Sequence, residues 1–280
     1  TVYPGVTEDI CIKLIEKKTK LKNNRDFYIG YSPERINPGD KKHTVEKIKK
    51  IVAINTDNKD ALYKVKKVYR SVSSSIILTK NIKEAEAAKV IENIQRDLNI
   101  ALMNEISIIF NSLEINTLEV IEAASTKWNF SKFSPGIVGG HCIGIDPYYL
   151  TFESMKHGLI PDLILTARNL NEKMPKHIFD RTLKGLRLKK INSKSLNILL
   201  LGFSFKEDCN DTRNTKVLDI AKLFAKKNFK VHVFDPLIHK QNFNISNIKF
   251  ISRPKTNFYD AVLLCVPHKE FKKLGLKKLK

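Results

Sequence analysis

The sequence predicts an α/β fold that is interrupted by a helical middle part. Strand-like runs alternate with helical patterns between residues 26 and 72, and a strand–helix–strand succession begins near residue 195. Between them, residues 83 to 113 contain neither glycine nor proline and follow the three–four apolar spacing of one long helix. A chain of 280 residues is long enough for about two domains, each with a core of its own.

The first part of the chain is predicted to alternate helices and strands. Thr7, followed by two acidic residues, is a candidate N-cap for a helix that continues to about residue 20. Pro33 ends a strand-like run. The elements predicted after that first helix are strands at 26 to 32 and 48 to 56 and a helix at 58 to 72.

The long helix predicted at 83 to 113 is apolar on most sides in its second half. We therefore expect it to be buried between other elements or across a dimer. Further helices are predicted at 116 to 126 and at 166 to 186.

The last part of the chain predicts a second α/β unit, with strands at 196 to 202, 230 to 236 and 260 to 266 and a helix at 215 to 228. Asp235 ends the second of these strands, as an acidic residue does in dinucleotide-binding folds. Only one glycine, Gly202, follows the first strand, so we expect no dinucleotide at this place.

Composition excludes several classes of protein. No apolar run approaches the roughly 20 residues of a membrane span, and the first segment lacks the pattern of a secretory signal. The four cysteines are scattered without a CxxC pair, which argues against a metal site or a disulfide scaffold and favours the cytoplasm. A formal charge of +21 is compatible with nucleic-acid binding, but the excess is lysine spread over the whole chain, so we expect no nucleic-acid partner.

The stretch "GIVGGHCIGIDPYYL", residues 136 to 150, predicts a functional loop. It holds four of the chain's 11 glycines, which are Gly136, Gly139, Gly140 and Gly144. Glycine-lined loops expose backbone amides that can activate a thiolate, so Cys142 is a candidate nucleophile and Asp146 a candidate helper. The alternative is a buried structural thiol, which we expect for the other three cysteines. His141 is adjacent to Cys142 and therefore points away from it, so we expect it to contact substrate or to pack locally.

Two further segments could contribute to such a site. Lys89 and Asn93 lie four residues apart on one face of the long helix and could polarise an oxyanion if Cys142 lay opposite. Most helical lysines are simply solvated, so this pair alone is a weak signal. Glu34 follows a strand-ending proline on a loop, where its alternative is an ordinary surface carboxylate.

Five segments occur in order along the chain: "TVYPG", "YSPERINPGD", "EAAKVIENIQRDLNIALMNE", "GGHCIGIDPYYL" and "GFSFKEDCNDTRNTK". Together they closely resemble the UDP-glucose/GDP-mannose dehydrogenase family, the nucleotide-sugar 6-dehydrogenases. The histidine before the cysteine and the "IGIDPYYL" continuation resemble the UDP-N-acetyl-D-glucosamine/galactosamine branch. UDP-glucose enzymes tend to have serine before the cysteine.

The resemblance implies a fold of three parts. Residues 1 to 82 would be a partial, Rossmann-like remnant of the NAD-binding domain. Residues 83 to 190 would form a central helical dimerisation domain with the catalytic loop, and residues 191 to 280 a shortened Rossmann-like domain that binds the UDP-sugar. A homodimer or a higher homo-oligomer is implied as well.

The resemblance also implies an activity, in which NAD supports a four-electron oxidation of the C6 alcohol of a UDP-N-acetylhexosamine to a uronic acid for surface polysaccharide precursors. By analogy Cys142 captures the C6 aldehyde, Lys89 and Asn93 stabilise oxyanions, Asp146 assists proton transfer and Glu34 serves in thioester hydrolysis. The remaining positions implied are Thr1 as a catalytic residue, Arg213 on the cofactor side, and Phe133, Gly136, Gly139, Gly140, His141 and Lys206 around the substrate.

The sequence lacks the glycine-rich strand–turn–helix with which the family's cofactor domain opens. We therefore expect that the 280-residue chain alone does not reduce NAD. The alternative function is an inactive remnant that acts only as a nucleotide-sugar-binding or interaction module. The configuration of the sugar and the oligomer size stay open.

Overall fold

The structure is a computed structural model that describes residues 1–37, 40, 42–191, 195–238 and 245–274. It divides into two compact units along the chain. The first unit comprises Thr1–Arg96 and Ile145–Leu165, and the second unit comprises Asp97–Gly144 and Thr166–Lys280. The predicted three-domain boundaries stay predictions.

The first unit is built on a small three-stranded sheet. Its strands are β1 (Gly30–Tyr31), β2 (Lys50–Ile54) and β3 (Ile76–Leu78). The order is β1-β2-β3, with β1 antiparallel and β3 parallel to the fully buried β2. The same unit contains a π-helical stretch (Thr7–Ile12), α1 (Lys13–Thr19), α2 (Lys59–Val72), the first part of α3 (Ile82–Ser112) and α5 (Asp146–Lys156).

Of two helix starts predicted in the first unit, one is confirmed and the other is wrong. The helix predicted at 58 to 72 is confirmed, with Asn58 as the N-cap whose side chain accepts from the amide of Ala61 at 3.0 Å. The prediction that Thr7 caps the first helix is wrong, because the backbone is already helical at the preceding residue and no side chain caps this helix. The Thr7 amide and hydroxyl instead donate to the buried carboxylate of Glu86 at 2.9 and 2.6 Å.

The strand predicted at 26 to 32 is shortened to the two residues of β1. A tight turn consumes its first half, since the amide of Asn24 donates to the carbonyl of Phe27 at 2.9 Å and Asn24 is left-handed with φ of 63°. Strand composition therefore predicted the right place but too long an element.

The second unit takes the rest of α3 and adds α4 (Thr117–Ala124) and most of α6 (Asp162–Leu188). The prediction of one continuous helix over 83 to 113 is confirmed by α3. Its apolar second half is not fully covered by the described residues, because Leu102 and Ile109 are 49% and 48% exposed, and Leu113, directly after the helix, is 60% exposed. The predicted helix at 166 to 186 is longer in the structure, where it begins at Asp162.

A four-stranded parallel sheet organises the second unit. Its strands are β4 (Asn197–Leu201), β5 (Lys230–Phe234), β6 (Ile248–Phe250) and β7 (Ala261–Leu264), in the order β6-β5-β4-β7. Apolar residues of α6, β4, β5 and α7 (Val217–Ala225) form its core, and α8 (Lys269–Leu274) follows β7. The three predicted strands and the predicted helix of this part are therefore present, and β6 was not predicted.

None of the described helices is long and apolar enough to cross a membrane. In the described ranges, no three His, Cys, Asp or Glu side chains are grouped so that they could hold a metal ion.

Candidate functional site

The glycine-rich loop between α4 and α5 is anchored at Gly136. The Gly136 amide donates to Asn104 Oδ1 at 2.8 Å, and Asn104 Nδ2 donates back to the Gly136 carbonyl at 2.9 Å. Asn104 lies on α3 and is fully buried. This amide-to-peptide pairing satisfies both backbone groups of Gly136, so the loop is tied to the long helix at this point.

Gly139 and Gly140 have a steric reason to be glycine. Gly140 has φ of +83°, and a Cβ built on it would lie 2.8 Å from a ring carbon of Phe205. A Cβ on Gly139 would lie 2.9 Å from the carbonyl oxygen of Asn214. The loop backbone therefore packs directly against residues 205 to 214, and only glycine permits this approach. This explains why glycines are concentrated just before Cys142.

Cys142 is a free, half-buried thiol. Near it, Arg213 is held by Asp211, whose carboxylate accepts from the Arg213 Nε at 3.0 Å. The pKa of Arg213 is raised mainly by this hydrogen bond, and the electrostatic influence of Cys142 and Cys209 raises it further. Arg213, which the resemblance placed on the cofactor side, thus lies within electrostatic reach of the thiol.

His141 does not face Cys142 in a relay. Its ring is exposed and makes an edge contact with Phe205, at 6.2 Å between centroids and 81° between planes. Its charge also lowers the pKa of Asp211, after the larger effect of the Arg213 hydrogen bond. Local packing, one of the two roles expected for His141, is what these contacts describe.

Lys206 lies next to Phe205 on the loop that follows β4. It is half-buried, with Nζ 5.6 Å from the centre of the Phe205 ring. Asp235 holds the start of this loop, because its Oδ2 accepts from the amides of Phe203 and Ser204 at 2.6 and 3.1 Å. The fold therefore fixes the backbone from which Lys206 projects.

Asp235 also belongs to a buried cluster with His268 and Ser204. His268 Nδ1 accepts from the Asp208 amide at 2.9 Å, so the proton lies on Nε2, which is 3.0 Å from Asp235 and 3.2 Å from the Ser204 hydroxyl. Serine and aspartate thus meet the same nitrogen, which is not the geometry of a catalytic triad. Asp235 Oδ2 is bound by the two loop amides and by His268, and its Oδ1 accepts from the Leu237 amide at 2.9 Å.

In the first unit, Asn93 and Asp146 form a buried pair. Asn93 Nδ2 donates to Asp146 Oδ2 at 2.5 Å, and the two residues are 3% and 2% exposed. Asp146 is the first residue of α5, where a negative charge is favoured by the helix dipole. Lys89, one turn before Asn93, is half-buried and forms no hydrogen bond or ion pair with the described residues. Its ammonium is therefore available to an anionic ligand.

Glu34 lies on an exposed loop but is held by a buried lysine. Lys50 Nζ, on a side chain that is 5% exposed, lies 3.1 and 3.0 Å from the two Glu34 oxygens. Burial raises the pKa of Glu34, but the hydrogen bonds from Ile36, Lys50 and Arg35 together bring it below its ordinary value. Arg35 also pairs with Glu92 of α3 at 2.7 Å, one residue before Asn93.

The other expected site residues have few informative contacts: Thr1 is exposed at the start of the chain and Phe133 is half-buried in the glycine-rich loop. Sequence reasoning missed Lys50, Asn104 and Phe205. A signal for Asn104 existed, because Glu86, Asn93, Asp97 and Asn104 recur at helical spacing in an otherwise apolar stretch and are all at most 3% exposed.

Three sequence models of one family match this chain. They describe its NAD binding domain over residues 1–73, its central domain over 83–173 and its UDP binding domain over 199–280. The chain belongs to the UDP-glucose/GDP-mannose dehydrogenase family. The predicted resemblance is thereby confirmed, and residues 1–73 are assigned to the family's NAD-binding domain.

Curated relatives and solved structures agree. The chain is 47% identical over 277 residues to the UDP-N-acetyl-D-glucosamine 6-dehydrogenase of Salmonella typhi and 46% identical over 282 residues to that of Pseudomonas aeruginosa. These alignments cover 98% and 100% of this chain but 65% and 66% of the relatives, so the chain spans just under two thirds of their length. The structure of a UDP-D-ManNAc dehydrogenase from Pyrococcus horikoshii matches with a TM-score of 0.86 at 30% identity, over 100% of this chain and 64% of that one.

The described residues of the NAD-binding part fit only a portion of a dinucleotide site. Gly5 has φ of +104°, but its amide donates to Glu86 at 2.5 Å, and Gly30 lies in β1. A pyrophosphate needs several free backbone amides at a glycine-rich turn. Within the described part of 1–73 no such cradle is formed.

Proposed function

We propose that this chain carries the sugar-oxidising machinery of an NAD-dependent UDP-N-acetylhexosamine 6-dehydrogenase, which forms a uronic acid for surface polysaccharide precursors. The single observation that carries the proposal is the loop around Cys142. Gly139 and Gly140 are sterically required there, against Asn214 and Phe205, and the loop presents a half-buried thiol within electrostatic reach of Arg213. Membership in the dehydrogenase family supports this role for the thiol.

The proposed chemistry at C6 passes through two intermediates that are bound to the Cys142 sulfur. The Cys142 sulfur adds to the C6 aldehyde and its proton passes to the resulting oxygen, which gives a thiohemiacetal. After the second oxidation the same carbon is a thioester, and water then cleaves the carbon–sulfur bond to release the carboxylate and restore the thiol. Two molecules of NAD, bound one after the other, would each accept one of the two hydrides that leave C6 in this four-electron oxidation.

Residues of the first unit are proposed to handle charge and protons. Asn93 Nδ2 has two hydrogens, of which Asp146 takes one, so the other is free to donate to an oxyanion. Lys89 supplies a positive charge one helical turn away. We assign proton transfer through water to Asp146, and activation of the hydrolytic water to Glu34, which its lowered pKa keeps ionised at neutral pH.

The substrate class is proposed from the second unit and the relatives' names. The UDP binding domain matches 199–280, and Lys206 and His141 meet at the Phe205 ring. A polar contact to the acetamido group that UDP-glucose leaves unmade costs roughly 1–3 kcal/mol, which gives about tenfold or more discrimination. We further propose a cytoplasmic location, where nucleotide sugars and NAD are used, and a homo-oligomeric state.

The proposal is tested by calorimetric binding of UDP-N-acetylglucosamine, UDP-N-acetylgalactosamine and UDP-glucose to the chain. We expect tighter binding of the acetamido sugars and a loss of about tenfold in affinity for Lys206→Met. Lys222→Met, an exposed lysine on α7, is the matched control and should bind as the unaltered chain does. Failure of all three nucleotide sugars to bind would contradict the proposed substrate class. Binding without any turnover in an enzyme that carries this chain and an NAD site would favour the binding-module alternative.

A further inference from the structure

The second unit contains a buried polar network that the proposed chemistry does not use. It consists of Asp97 and Asn104 on α3 and Arg168 and Asn171 on α6, each at most 1% exposed. Such groups are expensive to bury unless they are hydrogen-bonded to one another. Packing alone therefore does not explain why these polar side chains are buried on α3 and α6.

The four side chains form one continuous chain of hydrogen bonds. Asn171 Nδ2 donates to Asp97 Oδ1 at 2.8 Å, and Asn171 Oδ1 accepts from Asn104 Nδ2 at 2.8 Å. Arg168 Nη1 donates to Asp97 Oδ1 at 2.7 Å, and its Nη2 contacts Glu172. A network connected in this way moves as a unit, because each side chain fixes the rotamer of the next.

Both ends of this network reach the glycine-rich loop. Asn104 holds the amide and the carbonyl of Gly136, six residues before Cys142. At the other end, a Cβ on Gly144, two residues after Cys142, would lie 3.7 and 3.9 Å from the two terminal nitrogens of Arg168. The network therefore lies next to the loop at one position before Cys142 in the sequence and at one position after it.

Gly136 itself is not held by packing. A Cβ added to it would meet nothing within 4 Å, and the residue is exposed, although Ile137 and Val138 after it pack inwards. At Gly136 the loop is held by its two hydrogen bonds to Asn104. This distinguishes the network from a purely structural bond between α3 and α6, which would have no partner on the loop.

We infer that Asn104 and Arg168 are positioning residues that, joined through Asn171 and Asp97, fix both ends of the loop carrying Cys142. What these positioning residues do for catalysis rests on the proposed function of Cys142. Whether they fix the loop does not rest on it, because that is measured by the reactivity of the thiol in the chain without substrate or NAD.

The experiment measures alkylation of Cys142 by iodoacetamide, followed by peptide mass spectrometry, with exposed Cys11 of the first unit as the internal reference. In Asn104→Ala both bonds to Gly136 are lost and the half-buried thiol becomes more accessible. We expect the Cys142-to-Cys11 rate ratio to rise at least about threefold, with faster amide exchange over 134 to 144. Leu199→Ala, which opens a separate core cluster that Leu199 forms with Leu201 and Phe271, is the control for lost stability and should leave the ratio unchanged.

A second variant covers the case in which Asn104→Ala does not fold. Arg168→Lys keeps the positive charge beside Asp97 but cannot reach Asp97 and Glu172 together, so the same rise is expected. A folded variant of either kind with an unaltered Cys142-to-Cys11 ratio, at a stability equal to that of Leu199→Ala, overturns the inference. The proposed function fails separately, by absence of UDP-sugar binding to the unaltered chain.

Discussion

Asn93 and Asp146 lie 53 positions apart in sequence and are joined by a buried hydrogen bond of 2.5 Å from Nδ2 to Oδ2. A carboxylate with so little exposure depends on its donors, since an unsatisfied buried charge is far more costly than a neutral group. The pair therefore links the stability of the first unit to two residues that we propose to act on substrate.

The first prediction concerns this pair. Asn93→Ala should lower the free energy of unfolding by about 1–3 kcal/mol, because it leaves the Asp146 carboxylate without its amide donor. Urea denaturation followed by circular dichroism measures the change. Asn111→Ala replaces an exposed asparagine of the same helix and should stay within about 0.5 kcal/mol of the unaltered chain. Equal losses for the two variants would show that the buried pair contributes nothing.

A second prediction tests the packing of the loop. Gly140→Ala combines a strained positive φ with a Cβ only 2.8 Å from the Phe205 ring. Gly158→Ala shares a positive φ of +75° but has open space around its Cβ, so it isolates the backbone strain. We expect Gly140→Ala to cost about 1–3 kcal/mol more than Gly158→Ala in chemical denaturation. Phe205→Leu, introduced into Gly140→Ala, should recover part of this difference, and an unrelieved or absent difference would refute the steric argument.

A third prediction follows from the lowered pKa of Glu34. A carboxyl whose pKa is lower in the folded than in the unfolded chain stabilises the fold above its unfolded pKa, and this contribution is lost as the pH falls through the folded pKa. Lys50→Gln removes the buried positive charge, so the Glu34 pKa should rise and the acid loss of stability below about pH 4.5 should become shallower. Carboxyl NMR titration of Glu34 gives the first quantity, and unfolding at several pH values gives the second.

Lys64→Gln provides the matched control for the third prediction. It removes a lysine from the pair Lys64–Asp60, in which both side chains are about 70% exposed. An exposed ion pair of this kind contributes little to the free energy of unfolding. Neither the titration of Glu34 nor the pH dependence of stability should therefore change. A Glu34 pKa that is identical with and without Lys50 would contradict the assignment.

Much of the fold was predictable because it repeats at a local period. Helices α2 and α3 and strands β4, β5 and β7 follow from the spacing of their apolar residues. The elements that were missed depend on context. Strands β3 and β6 are three residues each, and α5 begins at Asp146 with neither a side-chain cap nor a long apolar face. Local signals are weakest for such short elements.

The candidate site was predictable only where glycine or an unusual residue marked it. Cys142 is marked by its glycines, and Glu34 by the proline before it. The supporting residues are ordinary in sequence, because a lysine such as Lys50 or a phenylalanine such as Phe205 acquires its role from a partner far along the chain. The buried stripe of Glu86, Asn93, Asp97 and Asn104 is the exception, since polar residues at helical spacing on an apolar helix are visible without a structure.

A fourth prediction concerns the exposed apolar face of α3. Leu102 and Ile109 are seven residues apart and share one side of the helix, and Leu113, four residues further, lies directly after its last residue. We expect this side to be covered by a second copy of the chain, and sedimentation should therefore show a dimer or a larger species. Ile109→Lys should shift the chain towards monomer, whereas Leu188→Lys, at a 75% exposed position at the end of α6, should not. A folded chain that sediments as a monomer at every concentration would refute the interface.

The last prediction is that the 280-residue chain alone does not reduce NAD. Hydride transfer requires the nicotinamide carbon within about 3–3.5 Å of the sugar carbon, which depends on a cradle of backbone amides that holds the pyrophosphate. Among the described residues, two places most resemble such a cradle, and the polar groups at both already form hydrogen bonds within the chain. The amide of Gly5 donates to Glu86, and Asp235 is bound by the amides that follow β4 and by His268. We expect no NADH absorbance when the chain is mixed with NAD and each UDP-N-acetylhexosamine, even if these sugars bind. A sustained signal that disappears in Cys142→Ala would show that the chain forms a cofactor site from groups other than these.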